Sequence, residues 1–387
     1  MKRFFLICII SFLCLSAVFG LCSQKDVCVS FAKNEVELSC KSACLVDYAS
    51  GEVLFAKNEN EKRPVASMVK MMTILLALED LEEGRIELSD KLTTSENAAG
   101  MGGSQVFVDP YQKYSIEDML KSVIMASAND ASVALAEHLN GSEETFVKRM
   151  NKRAKDLGMS NTNYVNCTGL PAVEQFSSAY DSAILLKQIV KFDVYHKYST
   201  TWIDVLKHDK GRETELVNTN KLIRYYEGCD GGKTGSTNEA GCCLSATAKR
   251  GDMRLVSVVV GAENSKTRFN ECSKLFNYGF ANFENKTLVS TENLIKTIPV
   301  LKGEKSQIEL FAKEDFVALV KKGDKSSYTY EIVTEENIKA PIAENAEVGK
   351  IVIVKNGNVV KEIPLISKIA VRKLGFGDMF KKVVEKW

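Results

Sequence analysis

The sequence predicts an α/β domain, in which a mixed sheet is covered by helices on its faces, followed by a smaller all-β domain and a C-terminal amphipathic helix. Three observations carry this. Alternating, turn-punctuated stretches near Leu38 and again before Glu263 read as hairpin strands, and helical-period runs lie between them. After about Asn285 the composition changes to short β-prone runs. A chain of 387 residues is long enough for two domains, because single cores rarely grow past about 250 to 300 residues.

In chain order, "MKRFFLICIISFLCLSAVFG" places Lys2 and Arg3 before an apolar run from Phe4 to Phe19, the pattern of a secretory leader over residues 1–20. An uncleaved anchor is the alternative reading. A lipoprotein fits less well, because Leu21 stands before Cys22 where a small residue would be needed. "ACLVDYASGEVLFAKN" alternates and turns at Ser50-Gly51, giving a hairpin. "SMVKMMTILLALEDLEEG" has helical spacing and stops at Gly84. "SIEDMLKSVIMASANDASVALAEHL" gives two more helices interrupted at "SAND", the first opened by Ser115 and Asp118 in a capping-box arrangement. "GCCLSATAKRGDMRLVSVVVGAE" reads as two strands turning at Arg250-Gly251-Asp252. "TIPVLKG", "DFVALVKKG", "SYTYEIV" and "KIVIVKNGNVVKEIPLI" make a β-rich domain over residues 292–366. In "GFGDMFKKVVEKW", Phe376, Met379, Phe380, Val383, Val384 and Trp387 share one helical face and lysines take the other. Such a basic amphipathic helix over 376–387 suits a membrane surface.

The balance of 51 Lys+Arg against 50 Asp+Glu leaves a net charge of +1, so no global field recruits nucleic acid. Nine of the eleven cysteines lie beyond the leader, without a CxxC pair or a His at zinc spacing. Disulfides among Cys28, Cys40 and Cys44 and a set of small buried thiols both remain open. His138, His196 and His208 read as helix-surface or loop residues, and Glu82-Glu83 and Glu143-Glu144 as solvated faces. No metal site, phosphate loop or cofactor motif is visible.

The chemistry concentrates in three places. Ser67 and Lys70 stand at i and i+3 in an apolar run, so both side chains project from one helix face. Serine needs a base to act as a nucleophile. A free lysine with pKa about 10.4 is neutral only about 0.04% of the time at pH 7. Lowering it three units costs about 4 kcal/mol of ammonium stability, which an apolar surround and a second cation can impose. "SAN", Ser127 to Asn129, brings a hydroxyl and an amide to a helix break 60 residues after Ser67. "DGGKTGSTNEAG" puts Lys233-Thr234-Gly235 before a strand pair, where a cation, a hydroxyl and a bare backbone can line the strand's edge.

Ser67-x-x-Lys70, Ser127-x-Asn129 and Lys233-Thr234-Gly235 together resemble the three motifs of penicillin-binding proteins and serine β-lactamases. The flanks "PVASMVKMMT", "GGSQVF", "ASANDASVALAE" and "NTNKLI" narrow the resemblance to the low-molecular-mass D-alanyl-D-alanine carboxypeptidases, over residues 38–285. One departure is Ala128, where the family usually has glycine. The resemblance implies a β-lactamase/transpeptidase-like sheet covered by helices. It implies that Ser67 attacks the carbonyl between the two D-alanines of a peptidoglycan stem peptide, with Lys70 as base. Ser127 would relay a proton to the leaving amine and Asn129 would orient Lys70 and the substrate. Lys233 would raise the positive potential and depress Lys70, and Thr234 and Arg268 would bind the terminal carboxylate beside Gly235. The backbone N–H groups of Ser67 and Ser236 would form the oxyanion hole. β-Lactams would be covalent inhibitors, no cofactor or metal would be needed, and the C-terminal helix would meet the membrane surface. A β-lactamase would carry Ser-Asp-Asn and a deacylating glutamate, a non-catalytic scaffold would lack a motif residue, and a transpeptidase or endopeptidase would share all three motifs.

Overall fold

The computed structural model describes residues 36–323 and 328–377. The leader, Cys22, Cys28 and all of the amphipathic stretch beyond Gly377 lie outside the described residues. Among the described residues no helix is long and apolar enough to cross a membrane.

A five-stranded antiparallel sheet organises the first part. Strands β1 (Ser42–Asp47) and β2 (Val53–Lys57) form the first hairpin. Strands β3 (Cys229–Thr237), β4 (Gly241–Arg250) and β5 (Met253–Ala262) complete the order β2-β1-β5-β4-β3. The N- and C-terminal segments are thus neighbours in the sheet, Ser42 opposite Val260 and Cys44 opposite Val258. Alternation decides the faces. Cys44, Val46, Val256 and Val258 point to one core, while Leu45, Leu255 and Val259 point to the other.

The larger core holds α1 (Lys70–Glu82), α2 (Ile116–Met125), α3 (Asn129–Asn140), α4 (Glu143–Asp156) and α5 (Ala179–Ile189). Helix α6 (Ser265–Asn282) closes the opposite face through Cys272, Leu275 and Phe276. Helix α1 is buried nearly all round, from Met71 to Leu78, which explains its continuous apolar run and makes it the central helix of the domain. Ser115 caps α2 by accepting the Asp118 N–H at 3.0 Å. The Asp118 carboxylate returns to the Ser115 hydroxyl, at 2.6 Å, in place of the backbone N–H that a full capping box would engage.

The strands after Asn282 are β6 (Phe283–Val289), β7 (Leu294–Leu301), β8 (Gln307–Ala312), β9 (Phe316–Lys321), β10 (Tyr328–Thr334), β11 (Ile338–Lys339), β12 (Glu347–Lys355) and β13 (Asn358–Ser367). Six of them form a sheet in the order β10-β12-β13-β8-β7-β11, and β6 pairs with β9. Their core is aliphatic, with Ile298, Ile308, Leu310, Ile351, Ile353, Ile363 and Leu365 at its centre. Asn285 of β6 donates to the Asp47 carboxylate at 3.0 Å, linking this part to the first sheet.

Cys40 and Cys44 are buried free thiols, like Cys167, Cys229, Cys243 and Cys272, so Cys40 and Cys44 do not form the disulfide left open by the sequence. Burial pushes the Cys40 thiol up to about 12, which keeps it protonated and unreactive. Two surface assignments also change. His208 is buried, with Nδ1 2.9 Å from the Tyr114 hydroxyl and Nε2 2.8 Å from Thr214 Oγ1. Glu143 accepts the Cys167 backbone N–H at 3.0 Å, while Glu144 stays in solvent and pairs with Lys148.

Candidate active site

Ser67 is not on the regular helix that its spacing suggested. It sits in a 3₁₀ turn, Ala66–Val69, that feeds directly into α1. In that tighter winding, residues at i and i+3 eclipse, so the prediction that Ser67 and Lys70 share a face holds for a different local reason. Lys70 Nζ lies 3.1 Å from Ser67 Oγ. Ser67 is half-buried and open to the cleft, whereas Lys70 is fully buried.

The break between α2 and α3 places Ser127 in the left-handed region, φ 62°, a costly conformation for a residue with a side chain. Its hydroxyl lies 2.7 Å from Lys233 Nζ. Ala128 has φ −63° and is buried in the large core, so the methyl in place of the family's hydrogen strains no backbone and stays out of the cleft.

Strand β3 lies at the sheet's edge and presents the third motif. Lys233, opposite Ser245, is 1% exposed and also donates to the Thr234 carbonyl at 3.0 Å. Gly235 is where the sheet meets the nucleophile turn. A Cβ there would lie 2.5 Å from the Val65 carbonyl oxygen and 3.1 Å from the Ser67 nitrogen, so only glycine allows the approach. Along the regular part of the strand, the Gly232 N–H faces away from β4 and takes the Tyr195 hydroxyl at 2.8 Å. By the two-residue alternation the Ser236 N–H faces the same open side, on the edge beside Ser67. Arg268, in the first turn of α6, donates through Nη1 to the carbonyls of Gly235 and Cys243 at 3.1 and 3.4 Å, and its buried Nε has no partner. Its present contacts are thus with the end of the motif strand.

Burial is the first cause of lowered basicity at both lysines. It takes Lys70 down to about 7, against the Asp130 carboxylate, which acts the other way. Lys233 is held well below the lysine range by burial and then by the charges of Lys70 and Arg268. The apolar surround is therefore what lowers Lys70, and the repulsion between the two amines is felt at Lys233.

Asn129 stands beside this centre, but its bonds go elsewhere. Its Nδ2 donates to the Gly102 carbonyl at 2.6 Å, and its buried Oδ1 has no partner. What holds Lys70 is the carbonyl of Thr168, at 2.5 Å. The loop carrying it is fixed by Thr73, whose hydroxyl donates to the Cys167 carbonyl at 2.9 Å, and by Asn166, whose Oδ1 accepts the Thr168 and Gly169 N–H groups. Gly169 has φ 82°, and a Cβ there would overlap the Ala66 carbonyl at 2.1 Å. Sequence reasoning passed over this loop. Its signal was the Asn166-Cys167-Thr168-Gly169 run, an Asx-turn composition. The constellation can activate a hydroxyl with an amine, hold a second hydroxyl on another amine, and offer two backbone donors to an oxyanion.

Residues 29–264 match the D-alanyl-D-alanine carboxypeptidase family, and residues 283–373 match the penicillin-binding protein 5 C-terminal domain. The chain is 43% identical over 355 residues to D-alanyl-D-alanine carboxypeptidase DacF of Bacillus subtilis (strain 168), covering 92% of this chain and 91% of that one. It superposes on penicillin binding protein 5 from Haemophilus influenzae with TM-score 0.74 and 32% identity, over 88% of this chain and 100% of the other. Penicillin-Binding Protein D2 from Listeria monocytogenes, solved in an ampicillin-bound form, aligns at TM-score 0.57 and 30% identity over 64% of this chain and 100% of its own. With one family matching most of the chain and these motifs meeting at one cleft, the chain belongs to the D-alanyl-D-alanine carboxypeptidase family.

Proposed function

We propose that this chain is a serine-type carboxypeptidase that removes the terminal D-alanine from peptidoglycan stem peptides outside the cytoplasm. The observation that carries the reading is the meeting of Lys70 with Ser67 and of Lys233 with Ser127 at one cleft.

In this reading Ser67 Oγ attacks the carbonyl carbon of the penultimate D-alanine while Lys70 Nζ takes the hydroxyl proton. The Thr168 carbonyl, bonded to the same amine, fixes which way its lone pair points. Negative charge on the carbonyl oxygen falls between the N–H groups of Ser67 and Ser236. The C–N bond then breaks as Ser127 relays to the leaving amine the proton that Lys70 took from Ser67, which leaves Lys70 neutral again, with Lys233 holding the Ser127 hydroxyl in place. The free Oδ1 of Asn129 is an acceptor for a substrate N–H, and Thr234 and Arg268 take the terminal carboxylate. Water hydrolyses the ester and restores Ser67. A β-lactam carbonyl enters the same path and stays on Ser67 when that last step is slow.

The leader over 1–20 would export the chain. The catalytic domain over 38–285 would be carried on the β-rich domain over 292–366, with residues 376–387 resting on the outer face of the membrane. Removing 376–387 should release the protein to the soluble fraction with catalysis intact, and unchanged retention after leader cleavage would refute the anchor. Fluorescent penicillin labelling of the parent and of Ser67→Ala, followed by D-alanine release from a stem-peptide mimic, tests the chemistry. Label lost in the variant, with release by the parent, is the expected result. Label without release would move the reading to a transpeptidase or endopeptidase, and no label would end it.

A further inference from the structure

Asp130 directly follows Ser127-Ala128-Asn129, and no step above uses it. Its carboxylate is 0% exposed and accepts the backbone N–H groups of Val106 at 3.1 Å, Val108 at 3.2 Å and Ala131 at 2.9 Å. Val106 and Val108 flank Phe107, which lies at φ 59°, where a bulky residue is rarely found. With both neighbours tied to one carboxylate, the chain between them must turn outwards. Phe107 is accordingly 59% exposed, and its carbonyl accepts Arg212 Nη2 at 2.8 Å. The near end of the same loop is held by Asn129, whose backbone N–H donates to the Ser104 carbonyl at 2.7 Å and whose Nδ2 donates to Gly102. Backbone strain of this kind persists only where the surroundings over-determine it. Here two consecutive residues at the start of α3 do so.

The same carboxylate is part of the field around Lys70. Lys70 Nζ bonds to Ser67 Oγ and to the Thr168 carbonyl; Cys167 from the loop and Asp130 from α3 act on it electrostatically in favour of its charged form, and it acts in turn, with Arg268, on Lys233 of β3. Glu143 stands one step further out, on the Cys167 N–H. On its other side Asp130 acts on His208, beside which lie Arg212 and Asp109.

We propose that Asp130 is a positioning residue of the reaction: together with Asn129 it pins residues 102–108 at the cleft, and it places a buried negative charge in the surroundings of Lys70. The inference rests on the carboxypeptidase reading above. The sign follows from the charge. A carboxylate favours the protonated amine, so removing it makes Lys70 give up its proton at lower pH.

The test is the pH dependence of acylation by fluorescent penicillin, with KM for the stem-peptide mimic measured alongside, in the parent, Asp130→Asn and Phe107→Gly. In Asp130→Asn the acid limb should move about 1 pH unit lower, and KM should rise as the loop loses its anchor. Phe107→Gly, which relieves the strained φ and keeps the carboxylate, should leave the limb in place. A uniformly slower Asp130→Asn with an unmoved limb would overturn the proposal, as would an equal shift in Phe107→Gly. Should Asp130→Asn not fold, Asp130→Ser keeps an acceptor without the charge and must show the same shift. Failure of both to fold would make Asp130 a folding residue and overturn the proposal as well. A parent that takes no label would instead refute the carboxypeptidase reading itself.

Discussion

The two parts of this molecule bury opposite things. Around Ser67 the protein encloses two lysines, and Asp130 and the nearly enclosed Arg268 lie close by. In the β-rich part the core is aliphatic throughout, and among the described residues after Phe283 the buried polar side chain is Ser367. The first arrangement is costly, because each buried ammonium must be desolvated, and it is kept for reactivity. The second shows what the same chain does where only stability is asked of it. Catalysis and cohesion are therefore separable by substitution, which gives the comparison its tests.

The sharpest is Lys70→Met, which keeps the volume and removes the amine. Acylation by penicillin should fall by about 10³-fold or more, while thermal stability holds or rises. A loss of both together would break the contrast. The pH dependence sharpens it further. Lys70 titrates near 7 when folded and near 10.4 when unfolded, so between these values the unfolded chain binds more protons and stability should climb with pH. Denaturant melts from pH 7 to 10 should show the parent gaining up to about 1.4 kcal/mol per unit relative to Lys70→Met.

The converse is Ile351→Ala in the β-rich core. It should cost about 2 to 5 kcal/mol by leaving a cavity, with no change in the acylation rate below the melting temperature. Between the extremes lies Glu143→Ala, which frees the Cys167 N–H and loosens the loop that holds Lys70. A fall in kcat of about tenfold, with KM little changed, is expected in steady-state D-alanine release. The smallest effect belongs to Ala128→Gly. Since φ at 128 is −63° and the methyl faces the core, acylation should change by less than about threefold and stability by less than about 1 kcal/mol.

Much of this was legible in the residues themselves. The apolar period around Lys70, the alternation of "GCCLSATA" and the turn at Gly251 are local patterns, and each produced the element it predicts. The three motifs carry their chemistry in side chains, so Ser67, Lys70, Ser127 and Lys233 could be named before any contact was known. The tertiary structure decided how these groups are held. Lys70 reaches a carbonyl 98 residues away, and Lys233 a hydroxyl 106 residues away. Gly169 and Gly235 matter for what a side chain there would strike, and the Thr168 carbonyl for where the loop carries it. Every residue has a carbonyl, so no local pattern marks the one that will face an amine. The depth that strips Lys70 of its water is likewise a property of the assembled core. The sequence determined which groups could react, and packing between distant segments determined which of them meet, how dry they are and which way they point.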